Sequence, residues 1–420
     1  MNLLVKGITI ADPNSEFNQQ TCDIRIEQGK ITAIAKQLDP SEKEEIFVGQ
    51  NTIISPGFFD LNCMIGDPGL ETKEDIQTGT AAAKAGGFTG IALLPTTKPV
   101  VQSKGEVAYI LNRAKNNLVD VFPIGAISKD LEGKELAELF DMKNAGAVAF
   151  SDGSNAIADD GFVSRALQYC LGFGGLLMLY PENKAIAGKA QINESENNVL
   201  LGMKGIPALA EEMQISRDIF LAGYHDAPIH ISTISTTGSV ALIRKAKKDG
   251  IRITCDVAAH QLVFTEELLN DFNSNYKVKP PLRSKTDQKA LITGLKDGTI
   301  DAISSQHRPH EIEFKDVEFE IASFGIIALQ TVLPFLLQAG LDSALIAEKL
   351  AINPRKLLNL QVPTIKVGAD ANFVGYSSTK EWTYNSSTNF SKSNNSPLMG
   401  AILKGKVQIV YNNKQYQVYE

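Results

Sequence analysis

The chain has 420 residues, 43% of them hydrophobic, and its 41 Lys plus Arg stand against 48 Asp plus Glu for a net charge of −7. That length and apolar share suffice for a large core, and an acidic balance without a basic run argues against nucleic-acid binding or an anionic-membrane surface. Met1 to Gly7 carries no basic region ahead of a long apolar run, and no segment reaches the length of a membrane span, so a cytoplasmic protein is expected. Cys22, Cys63, Cys170 and Cys255 are far apart and form no CxxC pair, which points to reduced, buried thiols rather than a zinc knuckle or disulfide framework. The five histidines, His225, His230, His260, His307 and His310, all lie beyond residue 224, so a zinc site drawing imidazoles from the first half of the chain is excluded.

In chain order, residues 1–52 read as short strands and turns: Leu3 to Ile10, Cys22 to Glu27 and Ile31 to Ala35. After Pro56-Gly57 the pattern becomes apolar strands alternating with helical periods. Strands are predicted at Phe58 to Met64, Thr89 to Leu94, Val119 to Gly125, Ala147 to Ser151, Leu176 to Tyr180, Pro228 to Ile234, Arg252 to Val257 and Ile300 to Ser305. Helical periods fall at Lys73 to Ala85, Lys104 to Asn116, Lys134 to Asn144, Ile206 to Ala222 and Ser239 to Lys248. Eight such units predict an α/β fold of the (β/α)8 TIM barrel type, with a site at the C-terminal ends of the strands. A doubly wound sheet is the alternative, but no glycine-rich dinucleotide loop follows an early strand. Two more helices are predicted, at Ala322 to Leu337 and Ser343 to Ala351. Strand signal returns after Val362, in Ala371 to Tyr376, Ala401 to Leu403, Val407 to Tyr411 and Tyr416 to Tyr419. The expected organisation is therefore a barrel over 53–362 and a small composite β-domain from 1–52 and 363–420. The Ser- and Asn-rich stretch 377–397 reads either as a flexible linker or as a long ordered loop.

The stretch Ser55-Pro56-Gly57-Phe58-Phe59-Asp60-Leu61-Asn62-Cys63-Met64-Ile65-Gly66-Asp67-Pro68-Gly69 resembles the dihydroorotases of the cyclic amidohydrolase superfamily, whose pattern here is PG, two hydrophobic residues, then D-x-H-x-H. The likeness continues through Ala85-Gly86-Gly87-Phe88-Thr89, Leu94-Pro95-Thr96-Thr97, Lys279-Pro280-Pro281-Leu282-Arg283 and Asn394-Asn395-Ser396-Pro397. It implies the barrel with its split β-domain, and a zinc-made hydroxide that opens and closes the cyclic amide between carbamoyl-aspartate and dihydroorotate.

Residue by residue, the resemblance also implies departures. The family's four metal-binding histidines correspond to Asn62, Met64, Tyr180 and Thr233, and its catalytic Asp, in a DHAPH-like segment, to Gln306. An amide and a thioether are poor zinc ligands, and glutamine exchanges no proton near neutral pH. Asp152 in Ser151-Asp152-Gly153 retains one carboxylate near the bridging position. The arginine that pairs with the substrate carboxylate is Gly66, and two substrate-side asparagines are Thr96 and Lys279; His310 matches the substrate-side residue that is kept. Zinc lowers the pKa of bound water from about 15.7 to about 7, worth about 12 kcal/mol of nucleophile activation that no residue here obviously replaces.

Strand alternation predicts that Asp60, Asn62 and Met64 share the barrel mouth and that Cys63 faces the outer layer. His230 reads as a hydrogen-bonded core residue. His260 could line the mouth. Lys279 could take a substrate carboxylate, fill the vacated metal position or face solvent. Pro309 makes His307 and His310 loop residues rather than a helical metal pair. The expectation is a dihydroorotase homologue of pyrimidine biosynthesis without zinc or other cofactor, catalytically inactive, and a structural partner of aspartate transcarbamoylase in a homo- or hetero-oligomer. The alternative is an active cyclic-amide hydrolase with a rearranged site built from Asp152, Lys279, His260 and His310.

Overall fold

The computed structural model describes residues 2–42 and 44–419. The N-terminal strands are β1 (Asn2–Ile10), β2 (Thr21–Glu27), β3 (Lys30–Ala35) and β4 (Glu45–Pro56). The barrel begins with β5 (Phe58–Cys63), β6 (Phe88–Leu93), β7 (Asp120–Gly125), β8 (Ala149–Phe150) and β9 (Leu177–Leu179). A two-stranded excursion, β10 (Ile192–Asn193) and β11 (Gly205–Ile206), precedes β12 (Ile229–Ile231), β13 (Ile253–Ala258) and β14 (Ala302–Ser304). The chain ends in β15 (Phe373–Thr383), β16 (Ile402–Asn412) and β17 (Gln415–Val418).

Strands β5 to β9 and β12 to β14 form a parallel eight-stranded sheet in sequential order from β5 to β14. Its ends are brought together just past the strands, where the Met64 amide donates to the His307 carbonyl at 3.0 Å. This is a nearly closed TIM-like barrel. Strands β5 and β6 are buried at every residue, as expected of parallel strands covered on both faces. Helices follow the strands, and Asp75, Ser103, Asp159, Thr236 and Ser284 each cap one by accepting from an amide in its first turn.

Both chain ends enter a second, seven-stranded sheet of order β17-β16-β15-β4-β1-β2-β3. Strand β4 is its pivot: it pairs in parallel with β1 and antiparallel with β15, then leads through Gly57 into β5. One face of this sheet carries Leu3, Ile24, Ile54, Phe373 and Ile409 in a cluster of their own. The other face contributes Val374, Tyr376, Val407 and Val410 to the barrel's largest apolar cluster.

Some predicted elements change. Helices Asp160–Leu171 and Lys285–Lys296 were not anticipated, and the helix predicted from Ala322 begins only at Val332. Gly325, in the stretch before it, has φ +134°, which excludes helix there. No helix among the described residues is long and apolar enough to cross a membrane.

Candidate functional site at the barrel mouth

The first strand does not present Asp60, Asn62 and Met64 as one row. Phe59 and Leu61 belong to a compact apolar cluster with Ala92, Ile124, Met178 and Ala302, against which Met64 packs, whereas Phe58 and Cys63 belong to the large outer cluster. The parity of the strand therefore switches between Leu61 and Cys63, and the β5–β6 ladder slips between Asp60 and Cys63. A bulge of this kind re-aims side chains at a strand end. Asp60 is turned to the end of β14, where it accepts from the Ser305 amide at 2.7 Å, and burial pushes its carboxyl above the usual range.

Asn62 stands at the centre of the mouth. Its Nδ2 donates to Ser232 Oγ at 3.1 Å and Thr233 Oγ1 at 3.3 Å, and its Oδ1 accepts from Arg308 Nη2. Arg308 also donates through Nη1 to the carbonyls of Asn62 at 3.3 Å and His307 at 3.1 Å. Its guanidinium is buried, and that burial lowers its pKa although the charges of Asp60 and Asp256 act to raise it. The cation beside Asn62 is thus Arg308 and not Lys279. Lys279 pairs with Glu182 at 2.8 Å and lies 5.3 Å from the centre of the Phe324 ring.

Thr233 and Gln306 sit at φ +69° and +49°, a region that β-branched residues in particular avoid. Asp256 supports the first of these by accepting from both the amide and the hydroxyl of Thr233. His230 is tied to Thr254 Oγ1 at 3.0 Å and lies 3.4 Å from Asp256. Asp152 accepts from the amides of Ile127 at 2.9 Å and Ser128 at 3.0 Å and from the Ser128 hydroxyl; burial still raises its pKa. A cavity of about 10 Å³ lies among Asp152, Asn155, Tyr180, Gln214 and Arg217. The Tyr180 phenol is pushed well above its ordinary range by burial and by the charges of Glu182 and Glu211.

The remaining candidates are dispersed. Thr96 is packed against Gly153, where an added Cβ would meet Thr96 Cγ2 at 2.7 Å. His260 is buried with neither ring nitrogen bonded, and burial lowers its pKa to about 3. His310 donates from Nε2 to the Phe324 carbonyl at 3.0 Å, has its pKa lowered by burial to about 4, and lines a cavity of about 710 Å³ with Thr72, Glu311, Lys315 and Lys392. Gly66 is closed over by backbone: an added Cβ would lie 2.1 Å from the Leu70 carbonyl oxygen. Arg308 and Asp256 were missed by sequence reasoning. The signal for Arg308 was a charged residue at the alanine position of the DHAPH-like segment.

Comparison with known proteins places this geometry. Residues 51–239 match the family model described as Dihydro-orotase-like. The chain is 40% identical over 410 residues to a protein named dihydroorotase from Geotalea daltonii, covering 96% of each chain. It is 41% identical over 424 residues to one from Acetivibrio thermocellus, covering 100% of this chain and 99% of that one. The solved structure of an L-hydantoinase (dihydropyrimidinase) from Arthrobacter aurescens shares the fold, with a TM-score of 0.87, 22% identity, and coverage of 100% of this chain and 97% of that one.

These matches overturn the expectation that no cofactor takes part. The relatives named dihydroorotase belong to a metal-dependent family, and replaced imidazoles are no evidence that a metal is absent here. Asn62, Met64, Tyr180 and Thr233, which the resemblance sets at the family's four histidine positions, offer an amide, a thioether, a phenol and a hydroxyl, none of them among the thiolate, imidazole and carboxylate ligands that zinc ordinarily takes, and Asn62 is engaged by a cation.

Proposed function

Because the chain belongs to the dihydro-orotase-like family, we propose that it serves pyrimidine biosynthesis as a catalytically inactive member, a structural partner of aspartate transcarbamoylase. The observation that carries this reading is the cation seated in the mouth. Buried Arg308 binds Asn62 where the resemblance puts the family's reacting centre. Two further features support it. Gln306 offers an amide where proton exchange is needed, and the backbone around Gly66 leaves no room for the carboxylate-binding arginine.

The measurement is turnover of carbamoyl-aspartate and dihydroorotate by the purified protein, as isolated and after zinc supplementation, together with co-purification with aspartate transcarbamoylase from the same organism. The expected result is a stable complex and no turnover above the blank in either condition. Turnover at an ordinary enzymatic rate would overturn the inactive reading.

A second reading, an active cyclic-amide hydrolase, is favoured by the kinship itself and by the 710 Å³ cavity at His310. Under it, His310→Ala abolishes a turnover that the native protein displays.

A further inference from the structure

At the end of the barrel opposite the mouth, where Gly57 leads into β5 and Asp120 begins β7, a cavity of about 800 Å³ opens between the barrel and the second sheet. Arg355 lines it while only 5% exposed, its guanidinium carbon 5.1 Å from the centre of the Phe59 ring. Its Nη1 donates to the carbonyls of Gly57 at 2.6 Å and Ala351 at 2.8 Å, and its Nη2 to Thr89 Oγ1 at 2.9 Å. A guanidinium has five N–H donors, so Nε–H and one hydrogen of Nη2 are left without an acceptor among the described residues. All three acceptors are neutral. Asp120 is the carboxylate whose charge acts on Arg355, but both of its oxygens are taken by amides, one by Asn412 at 3.0 Å and the other by Asn413 at 2.8 Å. It is joined to Arg355 only through the neutral side chains of Thr89, Asn372 and Asn412. A buried cation without a carboxylate bears its desolvation uncompensated, and burial lowers the Arg355 pKa to about 9. Two further cations stand at the rim: Lys366 and Lys414 are exposed, and neither ammonium has a partner among the described residues. The acid beside them, Asp370, is paired with Lys30 at 3.7 Å.

We propose that this cavity binds a small phosphorylated molecule, its phosphate held at Arg355 and covered by Lys366 and Lys414. The fork of a guanidinium matches two oxygens of a phosphate, and lysine adds a mobile point charge. In a chain of net charge −7, three cations without carboxylate partners border one cavity. A phosphate dianion answers that surplus better than a single carboxylate does. The volume lies within the roughly 300–1,000 Å³ of small-molecule sites and exceeds what a phosphate alone fills, and Phe122, Leu360 and Val362 offer an apolar wall for the rest of the ligand. Asn62 and Arg308 sit at the other end of the barrel, so the inference does not depend on whether the mouth is catalytic.

Isothermal titration calorimetry of the full chain with inorganic pyrophosphate, at fixed ionic strength and with acetate as the carboxylate comparison, tests it. Pyrophosphate is expected to bind one to a chain, more weakly as salt rises, and acetate to give no comparable heat. Arg355→Met keeps an apolar stem over Phe59 and should weaken binding about 10-fold or more. Because that change also removes bonds to Gly57 and Ala351, a second variant leaves the core alone: Lys366→Ala combined with Lys414→Ala, both at exposed side chains, should weaken binding several-fold. Lys392→Ala, at the cavity beside His310, should leave binding unchanged. A native chain that binds no pyrophosphate at millimolar concentration, acetate bound as tightly, an affinity indifferent to the Arg355 and the double lysine variants, or binding lost in Lys392→Ala overturns the proposal.

Discussion

His260 is a buried imidazole without a bonded partner, and its charged form is disfavoured because burial removes water and the Arg308 charge lies within reach. Its pKa falls from an ordinary 6.5 to about 3. The sign follows directly. Between pH 6.5 and 3 the unfolded chain holds a proton that the folded chain refuses, so stability is lost as pH falls through that window, by about 1.4 kcal/mol per unit. His310, lowered to about 4, adds to the same trend. His260→Leu is therefore expected to reduce the acid sensitivity by about 2 kcal/mol between pH 7 and pH 5, measured by urea unfolding at each pH. Parallel profiles for the native and variant proteins would reject this account. The identities of the mouth residues were legible in the sequence, but their aim was not: one slipped register in β5 separates Asp60 from Asn62 and Met64.

At the scale of elements, the segment after β15 shows how composition can mislead. Ser and Asn between 377 and 397 admit a linker, yet β15 runs to Thr383 and the side chains beyond it bond to backbone. Asn389 donates to the Ser393 carbonyl at 2.9 Å, and Asn395 donates to the Arg308 carbonyl at 2.9 Å and accepts from the His310 amide at 3.1 Å. The pin is Glu74, fully buried, which accepts from the Ser391 hydroxyl, the Lys392 amide at 3.0 Å and His307 Nε2 at 3.3 Å. The Ala328 amide donates to His307 Nδ1 at 3.1 Å, so the ring proton faces Glu74. Burial would raise the Glu74 carboxyl, but the bonds from His307, Ser391 and Thr78 outweigh it and hold the group below its ordinary 4.5. Its contribution is present above that value and lost as pH falls through the lower folded value. Glu74→Gln should speed hydrogen exchange of the 385–395 backbone while leaving β5 to β7 protected. Unchanged exchange in that loop would show that Glu74 is not what orders it.

At the scale of the whole molecule, the two sheets share one apolar cluster. Tyr376 on β15 is fully buried, and its ring centre lies 5.9 Å from that of Phe58 on β5. Because β4 passes into β5 through one glycine and β15 seals β4, loosening the second sheet also uncovers the barrel wall. Tyr376→Ala should cost about 3–5 kcal/mol and lower a single transition in which far-UV and near-UV circular dichroism still coincide. Two separated transitions would show that sheet and barrel unfold independently.

The sequence by itself determined the strand-and-helix periods of the barrel, the β-rich character of both chain ends, and which residue types stand at the family's positions, because each is written in local patterns of two or 3.6 residues. Only the tertiary structure decided where Arg308 goes, since its partner Asn62 is 246 positions away, and how Glu74 meets Ser391, 317 positions away. Periodicity reports that a face is apolar and is silent on what covers it. In helix Ala208–His225 an inward row and an outward apolar row look alike in sequence. The packed neighbours cover the first and leave Phe220 and Tyr224 in solvent.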